Sequence, residues 1–272
     1  HLWDFVDGNS SAETNPTHTY TAFGTYTVCL VTTDQCGSDS LCKTITVSNT
    51  FQKTYGGLAD EIPFFIQQTD DNGYIAAGTT LSFGAGSMDI YVLKTDNVGN
   101  VQWSKAIGGS SVDEALTVRQ LSDGGYIIGA RTFSFGAGNQ DICLIRMDNA
   151  GNVLWSKTYG GASLDATLYL QQTNDGGFII TSFTQSFGAA GGDAYLLKTD
   201  SNGNVEWSKR YGGPGSDDPR GVEQISGGYM VTGTTQSFGA GAHDAFLMKI
   251  DNMGNIVWAK TYGGGATDTQ QS

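Results

Sequence analysis

The sequence predicts an all-β protein whose greater part is built from repeated four-stranded sheets. Three observations predict this class. Tryptophan recurs at intervals of 52, 52 and 51 residues. Short runs rich in β-branched and aromatic residues alternate with Gly, Asn and Asp clusters, which is the pattern of strands joined by tight turns. Of the 272 residues, 39 are glycine and only 4 are proline, so turn formers are abundant and a proline-rich extended chain is excluded.

Composition and charge exclude several functional classes. Aromatic residues make up 11% of the chain, which argues against intrinsic disorder. The formal net charge of −13 disfavours nucleic acid and anionic membranes as partners, because both are bound by basic patches. No apolar run approaches the roughly 20 residues of a membrane-spanning helix, so we expect no membrane insertion.

Three features mark the repeat, and all share its spacing. The tryptophans are Trp103, Trp155, Trp207 and Trp258. Glycine pairs begin at Gly56, Gly108, Gly160, Gly212 and Gly263, and Ser-Phe-Gly-Ala loops begin at Ser82, Ser134, Ser186 and Ser237. A fixed period of this length is the signature of repeat architectures.

One period contains four predicted strands. In the second copy they are Ala115–Leu121, Tyr126–Phe133, Asp141–Asp148 and Val153–Tyr159. Four antiparallel strands in about 50 residues is the size of a β-propeller blade, and blades must stack because one blade cannot cover its own faces. We therefore predict four full blades within residues 49–272, with the tryptophans as apolar plates between them. We also expect Phe51–Tyr55 to be an outer strand of another blade, and the chain to be part of a longer protein.

The repeat resembles the propeller repeats of large exported bacterial proteins. This resemblance rests on the pattern W-S-K-x-Y-G-G-x-x-x-D, then Q-x-x-D-G-G-Y-I-I, then S-F-G-A-G-x-x-D-x-x-L-x-K-x-D-x-x-G-N-V-x-W. It is similar to the "SBBP" repeats, found especially in Bacteroidetes. The D-x-x-G-N-V-x-W stretch also resembles the Trp-docking repeat of quinone-dependent propellers, but no cofactor-site residue carries over. The resemblance implies that the first strand of each repeat lines a central channel, and that the Ser-Phe-Gly-Ala and Gly-Gly loops share one face.

Residues 1–48 do not follow the repeat. They contain W-D-F-V-D-G, N-P-T-H-T-Y and G-T-Y-T-V, with alternating strands predicted over Thr25–Thr33 and Leu41–Val47. This segment resembles the later part of a PKD domain, an Ig-like β-sandwich common in extracellular proteins. The resemblance implies core positions for Trp3 and Tyr20 and a hydrogen-bonded, structural His18. The matching residues are Trp3, Asp4, Phe5, Asp7, Gly8, Asn15, Pro16, His18, Tyr20, Gly24, Tyr26 and Val28; Val6 departs from the pattern, because the family usually has glycine there.

Three of the four cysteines, Cys29, Cys36 and Cys42, lie in this first segment. If the hairpin turn centres on Gln35 and Cys36, Cys29 and Cys42 face each other, so a cross-strand disulfide is geometrically possible. An exported protein would permit it, and a bridge from Cys36 to either partner is the alternative. Cys143 is predicted to be a buried, unreactive thiol, because it stands in the column held by Tyr91, Tyr195 and Phe246. No Cys and His spacing indicates zinc.

Two acidic columns recur with the repeat. One opens the predicted channel-lining strand and comprises Glu61, Asp113, Asp165, Asp217 and Asp268; the other opens the third strand and comprises Asp89, Asp141, Asp193 and Asp244. We favour a structural role in which the carboxylates accept N–H groups of the glycine-rich loops. Calcium ligation is the alternative, and no other cofactor is expected; the candidate ligands are Asp113, Asp165, Asp217, Asp141, Asp193 and Asp244. Both columns should lie on one rim and make it electronegative.

The sequence contains three histidines and no catalytic motif, neither a P-loop, a G-x-S-x-G elbow nor an H-E-x-x-H pair. We therefore expect no enzymatic activity and no catalytic residue. The candidate binding-face residues are the loop phenylalanines Phe83, Phe135, Phe187 and Phe238. We predict a secreted or cell-surface scaffold, adhesion or recognition module whose partners are glycans or other surface proteins. The alternative is a substrate-binding or targeting appendage of a larger secreted polysaccharide-degrading enzyme; a quinone-dependent dehydrogenase is disfavoured.

Overall fold

The computed structural model describes residues 1–35, 37–47, 52–188 and 191–267 of the chain. The chain divides into two compact units, His1–Lys53 and Thr54–Ser272. The described strands form five four-stranded antiparallel sheets, and no helix occurs in the described ranges. The all-β prediction is confirmed. Accordingly, the described residues contain no helix that is long and apolar enough to cross a membrane.

The first unit contains one sheet. Its strands are β1 (Leu2–Asp4), β2 (Ser10–Ser11), β3 (Gly24–Asp34) and β4 (Gly37–Val47), in the order β2-β1-β3-β4. A sandwich was expected, but all four described strands hydrogen-bond within this single sheet. The hairpin β3–β4 contains the two predicted strands and extends beyond both of them.

The cysteines of this hairpin lie opposite each other. Cys29 pairs with Cys42 in the register of β3 and β4, and Asp34 pairs with Gly37 at the turn. The two sulfur atoms form a disulfide with an S–S distance of 2.08 Å. Cys36, the competing partner, lies outside the described residues.

Phe5 forms the buried centre of the first unit. It is 6% exposed, and its ring stacks on His18 with 4.1 Å between ring centroids. Nε2 of His18 lies 2.7 Å from a carboxylate oxygen of Asp7, and the Tyr20 hydroxyl donates to the carbonyl of Phe5 at 3.1 Å. His18 is therefore a hydrogen-bonded structural residue. Trp3 and Tyr20, expected in the core, are only half-buried, because the described strands of this unit form a single sheet.

Replacing Val6 with glycine is expected to stabilise the first unit by about 1 kcal/mol, because a left-handed backbone costs a non-glycine residue roughly 1–2 kcal/mol. Val6 has φ of 58°, which β-branched residues strongly disfavour. Its side chain is 54% exposed, so little packing is lost. Amide hydrogen exchange of β3 and β4 in the full chain would measure the gain, with Val6→Ala as an intermediate control. A glycine variant no more stable than the alanine variant would refute the strain argument.

The second unit contains four sheets of one design. The first sheet comprises β5 (Glu61–Gln68), β6 (Tyr74–Thr80), β7 (Asp89–Thr95) and β8 (Val101–Ile107), and the second comprises β9 (Asp113–Gln120), β10 (Tyr126–Thr132), β11 (Asp141–Met147) and β12 (Val153–Tyr159). The third comprises β13 (Asp165–Gln172), β14 (Phe178–Thr184), β15 (Asp193–Thr199) and β16 (Val205–Tyr211), and the fourth comprises β17 (Asp217–Ile225), β18 (Gly228–Thr235), β19 (Asp244–Asp251) and β20 (Ile256–Tyr262). In every sheet the strands pair in chain order, so each repeat is a four-stranded meander.

Consecutive sheets share a hydrophobic core. Ile75, Ile90 and Val92 of the first sheet pack with Ile128 and Ile145 of the second, and equivalent clusters join the second sheet to the third and the third to the fourth. The repeated tryptophans contact the next sheet edge to face, through the ring pairs Trp103–Tyr126, Trp155–Phe178 and Trp207–Tyr229. These three tryptophans thus lie between sheets, as predicted.

The predicted outer strand Phe51–Tyr55 does not appear as a strand. Phe51 lies outside the described residues, and residues 52–57 form no strand. The Tyr55 hydroxyl nevertheless donates to the carbonyl of Gly99 at 2.8 Å. Outer-strand tyrosines make the same contact with the following sheet, through the pairs Tyr159–Gly203 and Tyr211–Gly254. Tyr55 therefore occupies the place of an outer-strand tyrosine, although no described strand pairs with its segment.

Buried cations hold the turns between the first and second strands, at the end of the sheets opposite the Ser-Phe-Gly-Ala loops. Lys94 is 2% exposed and lies 2.8 Å from the Asp71 carboxylate; Lys198 is 2% exposed and lies 2.8 Å from Asp175. Burial opposes ionisation of both carboxyl groups, but hydrogen bonds from the lysine, a threonine hydroxyl and a glycine N–H outweigh it and lower the pKa of Asp71 and of Asp175 to about 2. Arg146 binds Asp123 in the same way.

The free energy of unfolding is expected to fall as the pH drops from about 4 towards 2. A carboxyl group with a lowered pKa in the folded state contributes stability above its unfolded pKa, and this contribution is lost as it is protonated. The double variant Asp71→Asn, Asp175→Asn should be less stable at pH 7 and should lose part of this pH dependence. Urea unfolding of the full chain between pH 2 and pH 7 would measure both effects. Asp70→Asn is the control, because Asp70 is exposed; an unchanged pH dependence in the double variant would contradict the assignment.

Candidate functional site

The Ser-Phe-Gly-Ala loops and the Gly-Gly loops meet at one end of the four sheets, here called the rim. The rim comprises residues 81–88, 108–112, 133–140, 160–164, 185–188, 191–192, 212–216 and 236–243. Its loops are joined across neighbouring sheets: the Ser111 amide donates to Ser134 Oγ, and the Ser163 amide donates to Ser186 Oγ, each at 3.0 Å. Short parallel bridges also pair Met88 with Val112 and Gln140 with Leu164. The two loop types therefore share one face.

The first acidic column ties these loops down. Asp113 Oδ2 accepts the Gly109 amide at 2.8 Å and the Ser134 hydroxyl at 2.6 Å, while its Oδ1 accepts the Thr132 hydroxyl. The same three kinds of donor surround Asp165 and Asp217. Glu61 accepts the Gly57 amide at 3.2 Å and the Thr80 hydroxyl at 3.1 Å. Asp268 lies outside the described residues.

The second acidic column ties the Ser-Phe-Gly-Ala loops in the same manner. Asp89 Oδ2 accepts the Gly86 amide at 3.1 Å, and Asp141 and Asp244 accept the Gly138 and Gly241 amides, each at 3.0 Å. The aspartates of both columns are at most 3% exposed; they are Asp89, Asp113, Asp141, Asp165, Asp193, Asp217 and Asp244. These aspartate carboxylates therefore do not face solvent, because the glycine-rich loops fold over them; an electronegative rim stays a prediction.

The two columns meet in pairs at the junctions between sheets. The Asp113 amide donates to the Met88 carbonyl at 2.8 Å, which places Asp113 beside Asp89. A Cβ on Gly108 would lie 1.9 Å from Asp89 Oδ1 and 2.8 Å from Asp113 Oδ2, so both carboxylates approach the α-carbon of one glycine. The pairs Asp141–Asp165 at Gly160 and Asp193–Asp217 at Gly212 repeat this geometry. No group of three or more His, Cys, Asp or Glu side chains suited to a metal ion gathers within the described ranges.

The four loop phenylalanines, here called the aromatic row, are partly exposed to solvent. Phe83, Phe135, Phe187 and Phe238 are 43%, 52%, 39% and 55% exposed. Each amide donates to the hydroxyl of the last threonine of the second strand, at 3.1–3.2 Å. Each ring tip lies against the second glycine of a Gly-Gly loop, so that a Cβ on Gly109 would lie 3.1 Å from Phe135 Cζ. The row therefore presents one apolar patch in each repeat at a fixed position.

The first strands of the four sheets contain a feature that sequence reasoning missed. Each has a β-bulge at the same place, which leaves one residue without a partner on the second strand. A bulge redirects the extra side chain, and here the four bulge residues line one cavity of about 1050 Å³. They are Phe64, Leu116, Leu168 and Arg220. Residues of the first strands thus line one cavity, and the residue type at the bulge differs from repeat to repeat.

Cys143 is buried, as predicted. It is 5% exposed, and burial, assisted by the nearby charge of Asp113, raises the pKa of its thiol to about 12. A thiol with this pKa stays protonated at neutral pH and is a poor nucleophile. The free cysteine therefore belongs to the core between the first and second sheets.

Comparison with known proteins identifies the first unit. Residues 1–49 match the PKD domain family. The chain is 30% identical over 108 residues to collagenase ColQ1 of Bacillus cereus strain Q1, which is 38% of this chain and 10% of that protein. It is 52% identical over 40 residues to collagenase ColA of Bacillus cereus strain ATCC 14579, which is 15% of this chain and 4% of that protein. The matched segment thus spans a tenth or less of either relative.

Two solved structures show weak overall likeness. An N11 neuraminidase-like protein of A/flat-faced bat/Peru/033/2010 (H18N11) matches with a TM-score of 0.42 and 16% identity, covering 74% of this chain and 54% of that chain. A eukaryotic initiation factor matches with a TM-score of 0.33 and 8% identity, covering 87% of this chain and 62% of that chain. TM-scores of this size do not establish a common fold.

Proposed function

We propose that the chain is a non-catalytic recognition module of an exported, secreted or cell-surface bacterial protein, in which a PKD domain precedes blades of a β-propeller. The PKD match supports an extracellular accessory role, because PKD domains are non-catalytic modules. The Cys29–Cys42 disulfide fits an oxidising compartment. The four stacked four-stranded meanders support the propeller assignment.

The aromatic row carries the proposal. Exposed apolar side chains that recur as a patch mark interaction surfaces, and aromatic residues are enriched at the centres of interfaces. Here the same ring is exposed at the same place in four successive repeats, on loops held by buried hydrogen bonds. Several equivalent weak contacts on one rigid body add up to strong attachment. Neutral glycans and apolar patches of surface proteins are the partners that this surface suits.

The matches to collagenases favour a second candidate function. Both collagenase relatives are enzymes of which this chain matches only a small part, which favours a substrate-binding appendage of a larger secreted enzyme. The sequence alone suggested a polysaccharide-degrading enzyme; the relatives' names favour a protein substrate, collagen. In this case the aromatic row would bind collagen and catalysis would reside elsewhere.

Removing two rings from the aromatic row is expected to weaken binding at least tenfold, because a buried aromatic anchor at the centre of an interface typically contributes about 1 kcal/mol or more. The test variant is Phe135→Ser, Phe187→Ser, compared with the parent on immobilised fibrillar collagen and on a glycan array. Selective loss on glycans supports the first candidate, and selective loss on collagen supports the second.

The matched control is Val153→Ser, Leu154→Ser, which removes two apolar side chains of similar exposure from β12, away from the rim. Circular dichroism would check that both variants stay folded. Binding that survives the rim variant and is lost in the β12 variant would place the interaction on the outer strands and refute the proposal.

A further inference from the structure

We infer that a pocket between the third and fourth sheets, here called the third junction, receives one uncharged apolar side chain of a protein partner. The inference rests on the proposed function, because Phe238 of the aromatic row forms part of the pocket wall. Three observations support it, namely the apolar lining of the pocket, the prior use of its inner polar groups and the way in which the chain fills the equivalent space between the second and third sheets.

The pocket lies between strands β15 and β16 of the third sheet and strands β19 and β20 of the fourth, and it has a volume of about 360 Å³. An apolar cavity of about 150 Å³ already takes up a benzene ring, so this space accommodates a group as large as the indole of tryptophan. Most of its wall is apolar, and the apolar residues are Ala194, Phe238, Phe246, Met248, Ile256 and Ala259.

The inner polar groups of the pocket are already used within the chain. Asp217 accepts one amide and two hydroxyl donors. The Thr235 hydroxyl accepts the Phe238 amide at 3.2 Å, and the Tyr211 hydroxyl donates to the Gly254 carbonyl at 2.6 Å. The polar side chains that β20 adds to the lining are exposed and stay hydrated. A sugar would need hydrogen-bonding partners inside the pocket, so an apolar guest is favoured.

The equivalent space between the second and third sheets is filled by longer side chains of the chain itself. Ile142 belongs to the hydrophobic core there, whereas the third junction has Ala194 at the corresponding position. Arg210 lies along the rim loop of the third sheet, where a Cβ on Gly188 would be 2.4 Å from its Cδ. The fourth sheet has Thr261 in the place of this arginine. Two shorter side chains therefore open the pocket at the third junction.

Two further differences make the third junction less polar. Tyr195 and Ser208 of the third sheet correspond to Phe246 and Ala259 of the fourth, so both hydroxyl groups are absent. Phe238 is 55% exposed, the highest value in the aromatic row. An empty apolar cavity forfeits packing contacts, and anchor side chains of partner proteins gain affinity by filling such pockets. Because Phe238 joins the pocket to the rim, the guest is a side chain of the partner that the rim meets.

A capped amino acid tests the pocket without the whole partner. The full chain would be titrated with N-acetyl-tryptophanamide and, separately, with N-acetylglucosamine, and binding would be followed by ligand-observed NMR. We expect the capped tryptophan to bind in the pocket. The inference is overturned if the capped tryptophan does not bind, or if N-acetylglucosamine binds and the variant Ala194→Ile abolishes that binding.

Ala194→Ile gives the pocket the residue that the first and second sheets have at this position, Ile90 and Ile142. It should weaken binding of the capped tryptophan at least about tenfold, yet raise the melting temperature by about 2 °C or more, because it fills a cavity. Thr261→Arg should act in the same way from β20, and it decides the question if the isoleucine variant melts below the parent. Ala245→Ile is the matched control, since it makes the same change in the fourth sheet outside the pocket lining and should leave binding unchanged. Unchanged binding in both pocket variants would overturn the inference.

The pocket and the proposed function can fail separately. The rim variant Phe135→Ser, Phe187→Ser leaves the pocket lining intact, so it should bind the capped tryptophan as the parent does. If this variant also keeps full attachment to glycans and collagen, the proposed role of the aromatic row is refuted, while a loss of capped tryptophan in Ala194→Ile still supports the pocket. If the rim variant loses attachment but Ala194→Ile attaches like the parent, the proposed function holds and the pocket inference is overturned.

Discussion

Replacing Asp165 with alanine is expected to lower the free energy of unfolding by about 3 kcal/mol or more, because each buried donor left without a partner costs roughly 1–3 kcal/mol. Asp165 is fully buried. It accepts the Gly161 amide at 2.8 Å and the hydroxyls of Thr184 and Ser186. All three donors lose this acceptor, and the Gly161 amide has a fixed direction, so the Gly-Gly loop should detach from the neighbouring loop.

The asparagine variant of the same residue should lose less, about 1–2 kcal/mol, because its amide oxygen can still accept the Gly161 N–H. Chemical unfolding of the full chain, followed by tryptophan fluorescence, would measure both variants. Glu61→Ala is a graded control, since Glu61 makes similar bonds in the first sheet but is only half-buried. Equal losses for the alanine and asparagine variants would show that the loops do not depend on these acceptors.

Replacing Trp155 with alanine is expected to cost about 3 kcal/mol, at the lower end of the range for deleting a large aromatic side chain from a core. Trp155 packs edge to face on Phe178 of the next sheet, with 6.3 Å between ring centroids. Its ring also lies against the α-carbon of Gly203, where a Cβ would be 2.9 Å from the indole. The variant would open a gap between the second and third sheets.

The chain provides a matched control for this experiment. Trp258 holds the same position in its repeat, but no sheet follows its own in the described part of the chain, and its described ring contact is with Lys260 at 5.9 Å. Trp258→Ala should therefore cost under about 1 kcal/mol. Thermal unfolding of the two variants would compare them directly, and similar losses would mean that Trp155 stabilises its own sheet and not the junction.

The strands and turns were predictable because their signals are local. The second copy of the repeat gives Val153–Tyr159 with the predicted bounds, and its other strands differ from prediction by one or two residues at their ends. Period-two patterns and Gly- or Asn-rich turns act over a few residues. It was equally predictable that Cys29 and Cys42 face each other, because both lie at the same distance in sequence from the turn.

Other features depend on contacts that a repeat pattern does not encode. The burial of the acidic columns arises because glycine loops from two sheets close over each carboxylate, and periodicity cannot distinguish an exposed from a buried aspartate. The bulges at Leu116 and its equivalents leave no mark in the hydrophobic pattern, since one extra residue simply lengthens a strand. The only sequence signal for the positive φ of Val6 was that PKD domains usually have glycine at this position.

The recurring bulge divides the repeat into a fixed frame and an interchangeable position. The aspartates of the second acidic column, the loop phenylalanines and the tryptophans are the same in all four copies, whereas the bulge position holds Phe64, Leu116, Leu168 and Arg220. Because a bulge residue has no partner on the adjacent strand, its side chain can be exchanged with little effect on strand pairing. Four such positions facing one cavity could be randomised together, so the chain offers a natural scaffold for selecting new binding specificities without redesigning its sheets.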